Sequence, residues 1–350
     1  MTGTMTSIAV TGVETFTTVE GPVPAPGPGQ ALIRVAYCGI CGSDVPRYFD
    51  GAVHAFPQVL GHEFSGVVAR TGPGCSTPVG SRVAVAPHIP CGQCEQCRSA
   101  NPTLCSNYSF IGSREPGAMA QYVLAPAENL VPAGDLSLKS AALVEPLTVA
   151  LHAVNLANVR PGERAAVLGS GVIGLMSVLA LRDRGVDDIT VIDINPWVLD
   201  VARTLGASRT IDSTRQNPAE ALTGETSPKL VIETAGAAAT IRQALQLASR
   251  RGRIVHVGKP TRSFDMDVET FEQILRKELT VRGSWLSYSS PFPGREWTDA
   301  VRVLSQAPAS PEGIVTHEFG LDEATAGFEV MRATGTERLK VMFRVFGEKA

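Results

Sequence analysis

A glycine-rich turn between a strand pattern and a helix pattern places the strongest constraint on the fold. An apolar run over Ala165–Leu168 leads into the hexapeptide GSGVIG, Gly169–Gly174, and an apolar helical pattern follows to about Arg184. Glycines at this spacing permit a tight turn, a close approach of backbone to a dinucleotide pyrophosphate, and close packing of helix on strand. The turn therefore predicts the opening of a dinucleotide-binding domain.

Strand and helix patterns alternate after this turn, which predicts a doubly wound parallel sheet. A final pair of helical patterns and one strand pattern follow, and we expect that strand to return to the first domain. The predicted strands cover Ile189–Asp193, Leu230–Glu233, Arg253–Val257, Leu279–Gly283 and Leu339–Phe346. The predicted helices cover Pro196–Leu205, Ala238–Ser249, Glu269–Lys277, Arg295–Ser305 and Asp322–Ala333.

The first third of the chain has a different rhythm, with short apolar runs broken by glycine and proline. This pattern predicts an all-β domain. The runs are Ala31–Cys38, Phe64–Ala69, Arg82–Ala86 and Gln121–Ala125. The predicted domains are a β-rich domain over 1–155 and 295–350, with an irregular lobe at about 88–106, and a nucleotide-binding domain over 156–294.

Four closely spaced cysteines predict a structural zinc site in that lobe. Cys91, Cys94, Cys97 and Cys105 have the spacing C-x2-C-x2-C-x7-C. Four thiolates surround a tetrahedral zinc ion and leave no position for a substrate. The alternative is a set of free or disulfide-bonded cysteines. A closed site of this kind braces the chain around it and takes no part in chemistry.

The residue that ends the second strand of the nucleotide-binding half favours NAD(H) over NADP(H). Asp193 has the position from which a carboxylate accepts hydrogen bonds from the adenosine ribose and repels a 2′-phosphate. No Lys or Arg follows before Arg203. The predicted cofactor-binding residues are Gly169, Gly171, Val172, Ile173, Gly174, Asp193, Val257 and Gly258.

A second, open zinc site is predicted from residues that each carry little weight alone. Cys41, His62 and a glutamate, either Glu63 or Glu145, form a donor set that zinc accepts while keeping a position for water or substrate. Zinc held in this way is a Lewis acid that lowers the pKa of a bound alcohol. A hydride then passes to nicotinamide. Ser43 is predicted to carry the alcohol proton outward, and Asp44 to accept from the far nitrogen of His62.

Composition excludes several classes of protein. The 350 residues carry a formal net charge of −3, which provides no basic field for nucleic acid. No apolar run approaches the length of a membrane span, and the N-terminus lacks the pattern of a secretory signal. An odd cysteine count with zinc-type spacing is typical of a reducing compartment, so we expect a cytoplasmic protein.

The order of these motifs resembles the zinc-dependent medium-chain dehydrogenases, the alcohol and polyol dehydrogenase superfamily. The resemblance is carried by CGSD at 41–44, GHEFSG at 61–66, the cysteine lobe, EPLTVALHA at 145–153, GSGVIG and Asp193. It implies a GroES-like catalytic domain and a Rossmann domain. It also implies an NAD-dependent oxidoreductase with one catalytic and one structural zinc ion, assembled as a homodimer or homotetramer. In this family Glu63 and Glu145 compete as the third ligand beside Cys41 and His62, and we rank Glu145 first.

Finer resemblance points to polyol-phosphate enzymes of the galactitol-1-phosphate dehydrogenase type. The similar runs are CGSDVPRYFDG at 41–51, YSFIGSREPG at 108–117 and LRKELTVRGSWLSYSSPFPGREW at 275–297. A phosphorylated or polyhydroxy substrate requires cationic and hydroxyl partners. The candidate substrate residues are Arg47, Tyr48, Arg114, Lys259 and Trp285.

Other functions remain open from the sequence. The substrate of the same chemistry could be an unphosphorylated sugar alcohol, a cyclitol or amino-cyclitol, or threonine. A zinc-free enone reductase shares the fold, but it lacks the open zinc site. A non-catalytic zinc-lobe protein that binds nucleic acid is disfavoured by the acidic net charge and by the complete nucleotide motif.

Overall fold

The computed structural model describes residues 3–333 and 337–346 as two compact units. One unit extends to Glu145 and also contains Tyr288–Ser305 and the chain from Pro311 onward. The other contains Pro146–Ser287 and Gln306–Ser310. The predicted domain boundaries, at 155 and 294, lie ten and seven residues C-terminal to these divisions.

Ten strands and three short helices precede the second unit. The strands are β1 (Thr4–Gly12), β2 (Thr15–Pro22), β3 (Gln30–Gly39), β4 (Gln58–Val59), β5 (Glu63–Thr71), β6 (Arg82–Val85), β7 (His88–Ile89), β8 (Ser109–Phe110), β9 (Tyr122–Pro126) and β10 (Leu130–Pro132). The helices are α1 (Asp44–Phe49), α2 (Glu95–Arg98) and α3 (Leu138–Ala141). Helix α4 (Val144–Leu156) crosses the division between the units.

Strands and helices alternate through the second unit. The strands are β11 (Arg164–Leu168), β12 (Asp188–Asp193), β13 (Arg209–Asp212), β14 (Leu230–Glu233), β15 (Arg253–His256) and β16 (Thr280–Gly283). The helices are α5 (Val172–Asp183), α6 (Pro196–Thr204), α7 (Pro218–Ala221), α8 (Ala238–Leu247) and α9 (Val268–Arg276).

The C-terminal part of the described chain adds two helices and two strands to the first unit. They are α10 (Arg295–Ser305), β17 (Val315–Phe319), α11 (Ala324–Arg332) and β18 (Lys340–Arg344). Single 3-10 turns lie at Pro102–Leu104, Ala127–Asn129, Gly224–Thr226, Pro311–Ile314 and Leu321–Glu323.

The first unit is built around β3, which pairs antiparallel with β5 on one side and with β18 on the other. Gly39, the last residue of β3, lies opposite Glu63 of β5 and Met342 of β18. Alternate residues of these strands face an apolar core that includes Ile33, Phe64 and Phe343. The strand pairing thus brings the end of β3, the start of β5 and the start of β18 together. The expectation that the last strand returns to the first domain agrees with this pairing.

The second unit is a six-stranded parallel sheet in the order β13-β12-β11-β14-β15-β16. The strand order reverses between β11 and β14, so the loops after these two strands diverge at their carboxyl ends. Val167, Val191 and Ile232 are fully buried, as residues of a parallel sheet covered on both faces should be. The predicted doubly wound fold is therefore confirmed. Strand β13 was not predicted, because its sequence, RTID, is short and has only one apolar residue.

Candidate functional site

The glycine-rich turn after β11 has the geometry that a dinucleotide needs. Gly169 has φ +88°, a conformation that favours glycine. A Cβ at Gly174 would overlap the carbonyl oxygen of Gly169, whereas one at Gly171 would meet nothing within 4 Å. Gly171 therefore leaves open space at the N-terminus of α5, where a pyrophosphate approaches the free backbone N–H groups. Val172 and Ile173 form the first turn of that helix.

Asp193 is held against this turn by backbone hydrogen bonds. Its Oδ2 accepts from the N–H of Ser170 at 2.6 Å. Its Oδ1 accepts from the N–H groups of Ile194 at 2.7 Å and Asn195 at 3.0 Å. The carboxylate is thus fixed at the position that the sequence predicts for ribose recognition, and the residues present fit a nicotinamide dinucleotide.

Val257 and Gly258 follow β15 on the same edge of the sheet. Their N–H groups donate to the carbonyl oxygen of Glu233 at 2.8 and 3.0 Å. The Glu233 carboxylate is fully buried, and its Oε1 accepts from the N–H groups of Ala235 and Gly236 at 2.9 and 2.8 Å. Glu233 was not singled out in the sequence, and it ties the loop after β14 to this edge.

Cys41, His62 and Glu63 come together at the end of β3 and the start of β5. One ligand atom from each lies within 4.8 Å of the other two. His62 and Glu63 are buried. Burial of its sulfur raises the pKa of Cys41 to about 12, and the charges of Glu63 and Asp44 add to this effect. A divalent cation supplies the opposite charge that a thiolate and a carboxylate need in such a place.

Glu145 lies beside this cluster, in the first turn of α4. Burial raises the pKa of its carboxyl to about 8. The interactions with His62 and Lys340 act to lower this pKa, and the negative charges of Glu63 and Cys41 raise it further. Its oxygens do not belong to the group that lies within 4.8 Å. Both glutamates considered in the sequence are therefore present at the site, in different environments.

A buried lysine that the sequence analysis missed contacts this cluster. Lys340 opens β18 and is 4% exposed. Its Nζ donates to Oε2 of Glu63 and, at 3.1 Å, to the carbonyl oxygen of Ile40. Burial acts most strongly and lowers the pKa of Lys340, but the charges of Glu63, Cys41 and Glu145 and the hydrogen bond to Glu63 together outweigh it, so the pKa is raised. The sequence could have indicated this burial, because side chains alternate between the two faces of a strand and Lys340 therefore shares a face of β18 with buried Met342.

Asp44 lies near His62 but makes its hydrogen bonds elsewhere. Its Oδ1 is 3.6 Å from Nδ1 of His62, beyond hydrogen-bond distance, and that Nδ1 is buried without a hydrogen-bond partner. Asp44 accepts instead from the N–H of Cys41 at 3.1 Å and from Arg47 at 2.7 Å. The predicted bond from Asp44 to the far nitrogen of His62 is thus absent from this geometry, and Asp44 orients the Cys41 backbone.

Arg47 links Asp44 to two hydroxyl groups. Its guanidinium donates to Oγ of Ser43 at 3.3 Å and to Oγ of Ser113 at 3.2 Å. Ser43 is exposed, while Ser113 is buried. The predicted proton carrier Ser43 and the predicted substrate cation Arg47 therefore belong to one hydrogen-bonded group next to the metal cluster.

The other candidate substrate residues have different surroundings. Tyr48 lies in the apolar core: it is 2% exposed, its ring stacks on Phe16 at 4.3 Å, and its hydroxyl donates to the carbonyl oxygen of Glu14. The prediction that Tyr48 contacts the substrate is therefore wrong, because its ring packs in the core and its hydroxyl is already bonded to the backbone. Arg114 is exposed and lies over the ring of Tyr108 at 4.1 Å. Lys259 and Trp285, both exposed, belong to the second unit.

The four lobe cysteines form a second cluster. One sulfur from each of Cys91, Cys94, Cys97 and Cys105 lies within 4.8 Å of the others, and all seven cysteines are free thiols. Backbone N–H groups donate to these sulfurs, from Cys91 to Cys105 at 3.3 Å and from Cys94 to Cys91 at 3.4 Å. Backbone hydrogen bonds lower the pKa of Cys94 to about 5. Four sulfurs in a closed group fit a tetrahedral zinc ion, and none of the four forms a disulfide in the structure.

Comparison with known proteins agrees with both clusters. Residues 27–135 match the family model described as the alcohol dehydrogenase GroES-like domain. Residues 172–306 match the one described as zinc-binding dehydrogenase. The chain is 36% identical to galactitol 1-phosphate 5-dehydrogenase of Escherichia coli K12, over 82% of this chain and 85% of that protein. The chain belongs to the zinc-dependent medium-chain dehydrogenases.

Further relatives of this dehydrogenase carry the names of other substrates. The chain is 33% identical to L-threonine 3-dehydrogenase of Rhizobium johnstonii, over 89% of this chain and 90% of that protein. The crystal structure of galactitol-1-phosphate dehydrogenase from Escherichia coli superposes with a TM-score of 0.91 at 31% identity, covering 97% and 100% of the two chains. A zinc-binding dehydrogenase of Sinorhizobium meliloti, bound to NADP, superposes with a TM-score of 0.90 at 29% identity, covering 98% and 100%.

These findings make the protein an oxidoreductase of the alcohol and polyol dehydrogenase family with a nicotinamide cofactor and zinc. Within residues 3–333 and 337–346, no helix is both long and apolar enough to cross a membrane.

Proposed function

We propose that this dehydrogenase transfers a hydride between NAD(H) and a secondary alcohol or ketone of a polyol phosphate, of the galactitol-1-phosphate type. The observation that carries the proposal is the cluster of Cys41, His62 and Glu63 with Glu145 beside it. The relatives that act on polyols support the same substrate class.

The protein residues divide the work of an alcohol oxidation. Cys41, His62 and a glutamate would hold a zinc ion, which would supply Lewis-acid activation of the alcohol, and the glycine-rich turn after β11 would hold NAD+ as the hydride acceptor. Ser43 receives the alcohol proton and passes it to solvent, since its hydroxyl is exposed and already accepts from Arg47. Asp44 fixes the backbone at Cys41, and Arg47 balances its charge.

The proposal of NAD(H) rests on Asp193, whose carboxylate is fixed by three backbone N–H groups where a 2′-phosphate would have to sit. A cytoplasmic location is part of the proposal, because thiolate ligands of zinc stay reduced there. We further propose that the protein assembles as a homodimer or homotetramer, and the exposed edge strand β16 supports this assembly.

Steady-state kinetics with galactitol 1-phosphate, sorbitol, scyllo-inosamine and threonine test the substrate class. We expect kcat/KM to be at least about tenfold higher for the phosphorylated polyol than for the others, because a charge-assisted hydrogen bond contributes about that much. Equal rates for galactitol 1-phosphate and sorbitol would reject the phosphate preference. A preference for threonine would favour the activity of the threonine dehydrogenase relatives.

Arg114 is the exposed cation of the first unit that we assign to the substrate phosphate. Arg114→Ala should lower kcat/KM for galactitol 1-phosphate about tenfold and leave kcat/KM for sorbitol unchanged. Arg302→Ala, on the surface of α10, is the matched control and should change neither value. Metal analysis provides the complementary measurement, with two zinc ions per chain expected; one would leave only the structural site.

A further inference from the structure

The Glu233 carboxylate, at the end of β14, has one oxygen with three donors and one oxygen with none. The residue is fully buried. Its Oε1 accepts from the N–H groups of Ala235 and Gly236 and from the hydroxyl of Thr240, the last at 2.8 Å. Its Oε2 is buried and has no hydrogen-bond partner. A buried acceptor without a donor is costly to a fold, so this oxygen is expected to serve a purpose.

His256, at the end of β15, lies next to the unsatisfied oxygen. Glu233 and His256 are opposite each other in the register of the two strands. Nδ1 of His256 is 3.6 Å from Oε2, so a movement of about half an ångström would bring the two atoms to hydrogen-bond distance. An N–H on Nδ1 would then complete the hydrogen bonds of the carboxylate and favour its ionised form.

The loop after β14 joins this carboxylate to the cofactor site. The hydroxyl of Thr234 donates to the carbonyl oxygens of Leu168 and Gly169, both at 3.0 Å, and so binds the loop to the glycine-rich turn. A Cβ on Gly258 would overlap the backbone nitrogen of Gly236, so the loops after β14 and β15 are in close contact. The carboxylate is therefore part of the same packed edge as the predicted cofactor-binding residues of both loops.

The strand order assigns this part of the edge to the nicotinamide half of the cofactor. Asp193, at the end of β12, is the residue predicted to accept from the adenosine ribose, and the strand order reverses between β11 and β14. A dinucleotide that crosses this reversal would have its adenosine half at β12 and its nicotinamide half at β14 and β15. The oxidised nicotinamide ring is cationic and the reduced ring is neutral. A buried carboxylate at this end of the site therefore favours the oxidised form.

We propose that Glu233, held by His256, is a specificity-determining residue that makes the cofactor site prefer oxidised over reduced nicotinamide. Lys259 carries the opposite charge nearby in the chain, but it is exposed, and water screens its charge more than that of fully buried Glu233. A preference for the oxidised form favours release of the reduced cofactor after hydride transfer. The inference rests on the hydride transfer of the proposed function and assigns it a direction, that of alcohol oxidation.

Glu233→Gln tests the proposal through cofactor binding alone. Glutamine keeps the Oε1 acceptor and the shape of the side chain and removes the charge. Titration calorimetry should give a ratio of Kd for NAD+ to Kd for NADH about fivefold higher than in the wild type. Asp188→Asn, which removes an exposed carboxylate from the amino end of β12, is the matched control and should leave the ratio unchanged. An unchanged ratio in Glu233→Gln, or equal losses of affinity for both forms, would overturn the proposal.

Two variants of His256 carry the test even if Glu233→Gln fails to fold. His256→Leu leaves the buried carboxylate with fewer donors, so it takes up a proton more readily and the ratio should rise as in Glu233→Gln. His256→Asn keeps a side-chain N–H donor close to the position of Nδ1 and should restore most of the wild-type ratio. A wild-type ratio in His256→Leu, or the same raised ratio in both variants, would reject the role of His256.

These readings are separate from those that test the proposed function. They need no alcohol, so the substrate class does not affect them. A wild type that bound only NADP(H) would contradict the proposed cofactor, and the same ratio measured with NADP+ and NADPH would still decide the role of Glu233.

Discussion

A single carboxylate is held in a fixed position at each of the two candidate sites of this dehydrogenase. Asp193 and Glu63 are each held by donors from neighbouring elements, backbone N–H groups in one case and a lysine in the other. Such fixed carboxylates act with little reorganisation when a ligand arrives, which makes their substitution informative.

The cofactor preference is a prediction about one residue. Replacing Asp193 by Ala together with Ile194 by Arg should shift the ratio of kcat/KM values from NAD+ toward NADP+ by about tenfold to a hundredfold. The change removes a repulsive carboxylate and adds a cationic fork for the 2′-phosphate. Initial rates with both cofactors provide the measurement. Asp200→Ala on the exposed face of α6 is the control, and a wild type that already used NADP+ equally well would contradict the assignment.

His88 is the titratable residue from which we expect a pH-dependent stability. It is fully buried in β7, and its Nε2 lies 2.8 Å from the carbonyl oxygen of Pro102. Burial lowers its pKa from 6.5 to about 4, although the bond to Pro102 acts in the opposite direction. Between these two values the unfolded chain binds a proton that the folded chain does not. The contribution of His88 to stability is therefore present above pH 6.5 and is lost as the pH falls toward 4.

His88→Gln should accordingly flatten the pH dependence of unfolding. Between pH 7 and pH 5 the free energy of unfolding of the wild type should fall by about 2 kcal/mol more than that of the variant. Denaturant titrations at the two pH values measure this difference. The acid sensitivity of the zinc sites is common to the wild type and the variant, so it cancels in the comparison. His54→Gln, an exposed histidine, should behave as the wild type, and equal slopes for all three proteins would refute the prediction.

The cysteine lobe shows how an element without regular structure is stabilised. Helix α2 has four residues and none of them is buried, so apolar packing contributes little there. The sulfurs of Cys91, Cys94, Cys97 and Cys105 and the ring of His88, which stacks on Tyr288 at 4.6 Å, provide the long-range contacts. A metal bound at the four sulfurs would thus be a structural part of the lobe.

Cys94→Ser should remove the structural zinc ion and lower the unfolding temperature by about 5 °C or more, because metal binding energy is folding energy. Zinc content per chain and calorimetry measure the two effects. Cys75→Ser, outside both cysteine clusters, should change neither. If Cys94→Ser abolished turnover while the fold, the assembly and the other zinc ion stayed intact, the roles of the two metal sites would be assigned wrongly.

At the scale of the whole molecule, the parallel sheet has an exposed edge at β16. All four residues of β16 are exposed, and α9 exposes Val268, Phe271 and Leu275 by 75%, 52% and 66%. An exposed edge strand next to an apolar helix face is a surface that soluble proteins cover. A second copy that presents the same edge across a two-fold axis would cover it.

We therefore expect light scattering to give two or four times the mass of one chain. Val281→Lys, in the middle of β16, should shift the protein to monomers, because two lysines would face each other across the axis. Val19→Lys, which adds the same charge to exposed strand β2, is the control. A monomeric wild type, or a Val281→Lys protein of unchanged mass, would reject this assembly.

Local pattern was sufficient for much of the fold and for the two strongest motifs. The GSGVIG turn, the position of Asp193 and the spacing of the four cysteines are properties of short stretches of chain, so the sequence alone determined the fold class and the family. The same reasoning brought Cys41 and His62 together, since each adjoins a predicted strand. Local pattern did not predict β13, because its sequence favours a strand only weakly. Pairing with β12 stabilises this strand in the fold.

Tertiary structure alone decided which residues surround the open metal site. Lys340 reaches Glu63, and Arg47 reaches Ser113, only through strand pairing and packing, and Tyr48 is removed from the substrate wall by its stacking on Phe16. A side chain's partners at long range depend on the register of strands that lie far apart in the chain. Spacing along the sequence does not encode that register, and for this reason the sequence could name Glu63 and Glu145 as candidate ligands but could not predict the surroundings of either.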